Sequence, residues 1–287
     1  MDRDILTING KRASRIGLGC SRIGSFNNPA PLRETRNLLA AAIDLGVTLF
    51  DTADVYGQGD SERELGRLIA GARRDDLIVV TKAGKAFSAK MRLLRPFKPL
   101  LKPLLSRRLE RQISRQRDGN IGSDFSPHVI TRAVEASLRR LRTERLDALL
   151  LHSPPADALT NQALCEALMN LQRAGKLGCF GVSCDDVATL EAALAMPGTT
   201  LLELPADVLA EAAARGLDAE IRHRNIGVLA REVIRMQPGL SPIEAVQACL
   251  ADGMTQCAVV GTTKAAHLAQ IVRGAAERPA RAGALLD

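Results

Sequence analysis

Tyr56 is the only tyrosine among 287 residues, and the chain has no tryptophan. It stands in the stretch Phe50-Asp51-Thr52-Ala53-Asp54-Val55-Tyr56-Gly57, directly after the apolar run Val47-Thr48-Leu49-Phe50. A phenol beside carboxylates can exchange a proton, and a nearby ammonium favours its phenolate and so lowers its pKa. Two other apolar runs end in groups suited to that work: Leu77-Ile78-Val79-Val80-Thr81 leads to Lys82, and Leu149-Leu150-Leu151 leads to His152. A lysine ending so apolar a run is partly desolvated and needs a counter-ion, for which Asp51 is the natural partner. Brought together, Tyr56 would donate a proton to a carbonyl oxygen that His152 orients by a hydrogen bond. Singly, each residue has a plainer role: Tyr56 caps a strand end, Lys82 and Asp51 form a rim ion pair, and His152 is a satisfied rim imidazole. The chemistry therefore depends on the elements that would gather all four.

Short apolar runs alternate with helix-period segments along the whole chain. The runs occupy residues 15–20, 48–51, 77–82, 146–152, 178–183, 200–204, 226–230 and 257–261. They lack clean apolar/polar alternation, as expected of parallel strands covered on both faces. Helices are predicted over 33–45, 61–69, 161–174, 186–195, 211–222 and 264–274. Two more follow Ser126-Pro127 and Ser241-Pro242, each a capping hydroxyl ahead of proline at the first helical position. Glu244, three residues after Ser241, adds a capping box. Eight strands each followed by a helix describe an α/β fold of the (β/α)8 TIM-barrel kind, whose usual size is near this length. A doubly wound open sheet is the competitor, but no Gly-x-Gly-x-x-Gly turn opens a βαβ unit. Asn9-Gly10 predicts a small β-hairpin from 5–8 to 12–14, ahead of the first barrel strand. The reading is one barrel domain over 1–287.

The formal charge of +7 is concentrated: the window from Lys85 to Asp118 carries +9, leaving the remainder near neutral at −2. A nucleic-acid role for the whole fold is not supported. No stretch of eighteen consecutive apolar residues occurs, so no transmembrane segment is expected. The charged start Met1-Asp2-Arg3-Asp4 lacks the apolar core of a secretory signal. Six cysteines without a Cys-x-x-Cys pair suggest reduced thiols and a cytoplasmic protein.

At a barrel's catalytic face, active residues cluster at the C-terminal ends of strands, which is where Asp51, Lys82 and His152 fall, with Tyr56 in the loop after the second strand. These segments resemble the motifs of the aldo-keto reductase superfamily. So do Arg15-Ile16-Gly17-Leu18-Gly19, Ser61-Glu62-Arg63-Glu64-Leu65-Gly66, Ser137-Leu138-Arg139-Arg140-Leu141, Gly181-Val182-Ser183 and Gly261-Thr262-Thr263-Lys264. The resemblance implies NAD(P)H-dependent reduction of aldehydes or ketones, or the reverse. By that analogy Tyr56 is the proton donor, Lys82 and Asp51 tune it, and His152 positions the carbonyl. It also implies a nucleotide held by residues that include Gly19, Asp51, Ser183, Cys184, Glu203, Arg231 and Gly261.

The segment Gly261-Thr262-Thr263-Lys264 ahead of a helix suits a phosphate: helix amides, two hydroxyls and an ammonium. His267 matches the position of the family's arginine toward a 2′-phosphate, and Gln270 that of its adenine-contacting acid. Lys264 with His267 favours NADP, with NAD possible. The chain departs from the family at Cys184 and at Glu203, which replaces a glutamine. It departs again at Arg231, which replaces a stacking tyrosine, and at Ile271, which replaces an adenine-binding asparagine.

Residues 86–125 form a long insertion after the third strand. Pro96, Pro99 and Pro103 break its first part, and Leu105, Leu109 and Ile113 then outline an amphipathic helix with a basic face. Springing from the catalytic rim, it reads as a lid for an anionic substrate, or as an arm that docks an acidic partner or membrane surface. The alternative to an enzyme is a nucleotide-binding regulatory barrel that turns over little and uses this arm on a partner. Phe26 and Phe87 are the aromatic residues expected nearest the rim.

Overall fold

Strands buried on both faces must close on themselves or be covered at their edges. Here they close. The computed structural model describes residues 5–24, 31–70, 74–87 and 121–276. The chain opens with the hairpin β1 (Thr7–Ile8) and β2 (Lys11–Arg12), then β3 (Ile16–Gly19), α1 (Leu32–Asp44), β4 (Leu49–Asp51), α2 (Asp60–Ile69) and β5 (Ile78–Ala83). Next come the short strands β6 (Lys85–Phe87) and β7 (Ile121–Ser123), α3 (Pro127–Leu141), β8 (Leu146–His152), α4 (Gln162–Arg173), β9 (Leu177–Ser183) and α5 (Val187–Ala195). The chain continues through β10 (Thr199–Pro205), α6 (Ala206–Ala214), α7 (Leu217–His223), β11 (Gly227–Arg231), α8 (Pro242–Leu250), β12 (Cys257–Gly261) and α9 (Ala265–Ala276). The parallel strands β3, β4, β5, β8, β9, β10, β11 and β12 form a closed barrel in that order, with β12 paired back to β3. This is the expected (β/α)8 architecture with its N-terminal hairpin.

Alternation along the strands sorts the core into two layers. Leu49, Ile78, Val80, Ala148, Leu150 and Leu201 pack inside the barrel, while their neighbours Phe50, Val79, Leu149, Leu151 and Leu202 pack against the helices. Each buried Leu, Ile, Val or Phe among them stabilises the fold by roughly 1.5–3 kcal/mol. The same two-residue step carries the inward series onward to Asp51, Lys82, His152, Glu203 and Arg231 at the strand ends. The apolar filling thus stops one layer short of the mouth, and polar groups occupy the last layer.

The lower end of the barrel is closed by the hairpin. Asn9 and Gly10 both take positive φ, 54° and 74°, as a tight two-residue turn requires, and Leu6 and Ile8 join the inner core. Asp147, fully buried on β8, accepts from Lys11 Nζ at 3.0 Å and from the Val79 amide at 2.9 Å, and pairs with Arg74 at 2.8 Å.

Three expectations change. The single helix over 211–222 is instead α6 and α7, separated at Gly216, whose φ of +74° ends the first helix in the left-handed region. The insertion leaves the barrel as an antiparallel ribbon, β6 on β7, with Lys85 opposite Ser123 and Phe87 opposite Ile121. Residues 88–120, including the basic helix expected around Leu105, Leu109 and Ile113, lie outside the described residues, as does Phe26. Finally, the Ser126 hydroxyl donates to Asp124 at 2.6 Å rather than capping α3, whereas Ser241 and Glu244 make the capping box of α8. Among the described residues no helix is long and apolar enough to cross a membrane.

Candidate active site

A cavity of about 650 Å³ opens at the C-terminal ends of the barrel strands. Asp51, Tyr56, Lys82 and His152 all line it, together with Gly19, Ser183, Glu203, Arg231 and Gly261. The four residues expected to act on a proton are thus gathered at one mouth.

Tyr56 reaches the cavity from a 3₁₀ turn, residues Tyr56–Gln58, that follows β4. Gly57, next to it, has φ +59°, and a Cβ there would lie 2.7 Å from the Ile23 carbonyl oxygen. The turn can therefore press against the loop after β3 only with glycine at this position. Ser61, at the start of α2, donates to the Cys20 carbonyl at 3.0 Å and meets the Thr52 hydroxyl at 2.8 Å, tying α2 to the same loop. Glu62 behind it is fully buried, taking Thr81 Oγ1 at 2.7 Å and the Arg140 guanidinium. The motif that begins with Ser61 and Glu62 thus holds the loops after β3 and β4 in place.

Lys82 is almost wholly buried, and its Nζ is paired with Asp51, lies 3.3 Å from Glu203 Oε2 and reaches the Thr52 carbonyl at 3.4 Å. Its ammonium lies 5.5 Å from the centroid of the Tyr56 ring. The Tyr56 and His152 rings meet edge-on, with centroids 5.8 Å apart and an interplanar angle of 88°.

Electrostatics at this spot are governed by burial. Burial alone would lower the Lys82 pKa, but Asp51 and Glu203 more than offset it, so the amine is held protonated. Burial, then Glu203, raises the Asp51 carboxyl against the pull of Lys82. Burial likewise raises the Tyr56 phenol above its ordinary value, and Lys82 offsets only part of that rise. The expectation of a phenol acidified outright is therefore corrected: desolvation outweighs the cation. His152 is driven well below the ordinary histidine value, first by burial and then by Lys82, Lys85 and Arg231. The ring is neutral, and its Nδ1 has no hydrogen-bond partner among the described residues.

The other expected contacts divide. Arg231 Nη2 donates to the Cys184 carbonyl at 3.0 Å and pairs with Asp185, while Nη1 lies 3.5 Å from Glu232. Asp185 is a residue the sequence reading missed; its one signal was its place just past the end of β9. The Cys184 thiol packs in the core rather than lining the cavity. Thr262, Thr263, Lys264, His267 and Gln270 lie beyond the cavity lining. Thr262 Oγ1 accepts the Lys264 amide at 3.2 Å, the ordinary work of a helix start. Ile271 is buried in the outer core cluster and does not line the cavity. Also missed were Ser21, Arg22, Lys85, Ser153 and Arg235, which join the lining.

Buried polar atoms without protein partners mark where a ligand fits. Besides His152 Nδ1 they include both Glu203 carboxylate oxygens, neither of which accepts a hydrogen bond, and Arg231 Nε. An acceptor on β10 and a donor on the neighbouring β11, above an apolar barrel floor, suit the amide-bearing ring of a nicotinamide nucleotide.

Known proteins share both sequence and shape with this chain. D-threo-aldose 1-dehydrogenase of a Pseudomonas species is 32% identical over 158 residues, 55% of this chain and 45% of that protein. An uncharacterized oxidoreductase of Bacillus subtilis is 30% identical over 172 residues, 59% of this chain and 44% of that protein. The matched region thus spans under half the length of these curated relatives. A solved structure from Pseudomonas aeruginosa, assigned to the aldo-keto reductases, is 28% identical with a TM-score of 0.73, covering 95% of this chain and 94% of that one. The profile of the aldo/keto reductase family matches residues 15–242. The chain belongs to the aldo/keto reductase family.

Proposed function

We propose that this protein is an NAD(P)-dependent oxidoreductase that reduces aldehydes or ketones to alcohols, or runs the reverse reaction, with residues 1–287 as one barrel domain. The observation that carries this reading is the placement of the Tyr56 ring between Lys82, 5.5 Å from its centroid, and His152, 5.8 Å away. A proton donor must hold its proton at rest, and burial keeps the phenol protonated at neutral pH. Lys82 then makes release of that proton less costly as negative charge develops on the carbonyl oxygen. Asp51 fixes the ammonium beneath the ring. Neutral His152 aims a hydrogen bond at the same oxygen and holds the carbonyl against Tyr56. When bound, a nicotinamide nucleotide supplies or accepts the hydride.

Ser183, Glu203 and Arg231 would hold the nicotinamide end, and Gly19, Asp51 and Gly261 leave room for it. Cys184 contributes through its backbone carbonyl on Arg231. Thr262, Thr263, Lys264, His267 and Gln270 would take the adenosine phosphates at the start of α9, with Lys264 and His267 favouring NADP. The substrate proposed is a small polar carbonyl compound, including anionic ones. Among the described residues the rim offers Ser21, Arg22, Lys85 and Ser153, and one relative is a sugar dehydrogenase. Six unpaired cysteines support a cytoplasmic setting. The regulatory alternative is not favoured, because a barrel that only senses a nucleotide has no use for an assembled proton-transfer set.

The test is a panel of aldehydes and ketones assayed with NADPH and NADH for wild-type protein and for Tyr56→Phe. Multiple turnover by the wild type and its loss in the variant are expected. Nucleotide binding without turnover on any carbonyl would overturn the enzyme reading.

A further inference from the structure

Glu203 carries a charge that proton transfer does not use. Its carboxyl is fully buried on an inward position of β10, and neither oxygen accepts a hydrogen bond among the described residues. The nearest cation is Lys82, 3.3 Å from Oε2, whose ammonium is already closed by Asp51. Two carboxylates on one ammonium leave a surplus negative charge on the cavity floor. Arg231 offsets it only in part, because its guanidinium is shared among Glu203, Asp185 and Glu232. Neutral His152 does not cancel it. Arg22 and Lys85, exposed and half-buried at the rim, are screened by solvent.

A buried surplus charge acts strongly on a ligand above it, because little water lies between them. Oxidised and reduced nicotinamide differ by one positive charge on the ring. We infer that Glu203 makes this site select the oxidised nucleotide over the reduced one. A glutamine of the same shape would offer the same carbonyl acceptor without the charge. The inference rests on the nucleotide reading given above and names the state of the nucleotide that the site prefers. Tighter hold on the oxidised form lowers the midpoint potential of the bound couple and so makes the bound reduced nucleotide the stronger hydride donor.

The experiment is calorimetric titration of the full chain with NADP⁺, NADPH, NAD⁺ and NADH, in wild type, Glu203→Gln and Glu203→Asp. The wild type is expected to bind the oxidised member of its preferred pair at least as tightly as the reduced one. Glu203→Gln is expected to raise the ratio of oxidised to reduced Kd by about tenfold or more. Glu203→Asp, which keeps the charge, is expected to hold the ratio within about threefold of wild type. Binding by all three proteins with an unchanged ratio in Glu203→Gln overturns the inference and leaves the nucleotide reading standing. No binding by wild type overturns both. Should Glu203→Gln fail to fold, a wild type that prefers the reduced form by about tenfold overturns the inference by itself.

Discussion

Asp51 and Glu203 stand on β4 and β10, opposite one another across the barrel, yet both carboxylates close on the single ammonium of Lys82. Neither strand is hydrogen-bonded to the other, so the lysine is what joins the two sides of the mouth. Removing it leaves two buried carboxylates facing each other without the cation they share. Lys82→Met is expected to destabilise the fold by about 3–5 kcal/mol, the range for breaking one side of a buried ion pair. Asp51→Asn introduced on top should restore part of that loss. Urea denaturation of the single and double variants measures both effects, and a Lys82→Met protein as stable as wild type would contradict the arrangement.

Tyr56→Phe keeps the ring, its edge-on contact with His152 and its place over Lys82, and removes only the hydroxyl. Turnover is expected to fall by about 10²-fold to 10⁴-fold, the usual contribution of a positioned proton donor. Nucleotide affinity should remain within about twofold. Steady-state kinetics beside a fluorescence titration separates the two quantities.

His152 sets a pH dependence whose sign follows from its environment. In the unfolded chain an imidazole titrates near about pH 6.5, whereas in the fold burial, then Lys82, Lys85 and Arg231, hold it well below that. The native state therefore binds fewer protons than the unfolded one in this window. Stability is fully present above the unfolded value and is lost as pH falls below it. Melting temperatures taken from about pH 7.5 to pH 5 should fall more steeply for wild type than for His152→Gln. Parallel curves would show that the ring is not held neutral.

Asp147 predicts the opposite division of labour. At the lower end of the barrel it binds Lys11, Arg74 and the Val79 amide, far from the mouth. Asp147→Ala is expected to cost about 3–5 kcal/mol by stranding two cations, while kcat/KM for the folded protein stays within about twofold of wild type. Denaturation and kinetics on one preparation check both halves.

Much of this protein was legible in local sequence. The apolar runs predicted each barrel strand to within a residue or so. Asn9-Gly10 predicted the hairpin, and Ser241-Pro242-Ile243-Glu244 predicted a helix start with its capping box. Tyr56, Asp51, Lys82 and His152 could be named because a polar residue ending an apolar parallel strand marks the barrel mouth. Gly216 was misjudged because the alanine-rich segment around it has helical period on both sides, and only the left-handed φ at that residue divides it. Asp185 was missed because its partner, Arg231, lies 46 residues away.

By itself, then, the sequence determined the strand and helix order, the inward alternation and the four polar residues that meet at the barrel mouth, since each depends on hydrogen bonds and hydrophobic contacts set within a few positions. Only the tertiary structure decided that Glu203 joins Asp51 on Lys82, that Asp185 tethers Arg231, and that the Tyr56 phenol is raised rather than acidified. Those outcomes come from desolvation and Coulomb interactions summed over every group that barrel closure brings into one dry space. No stretch of chain carries that sum until the last strand pairs with the first.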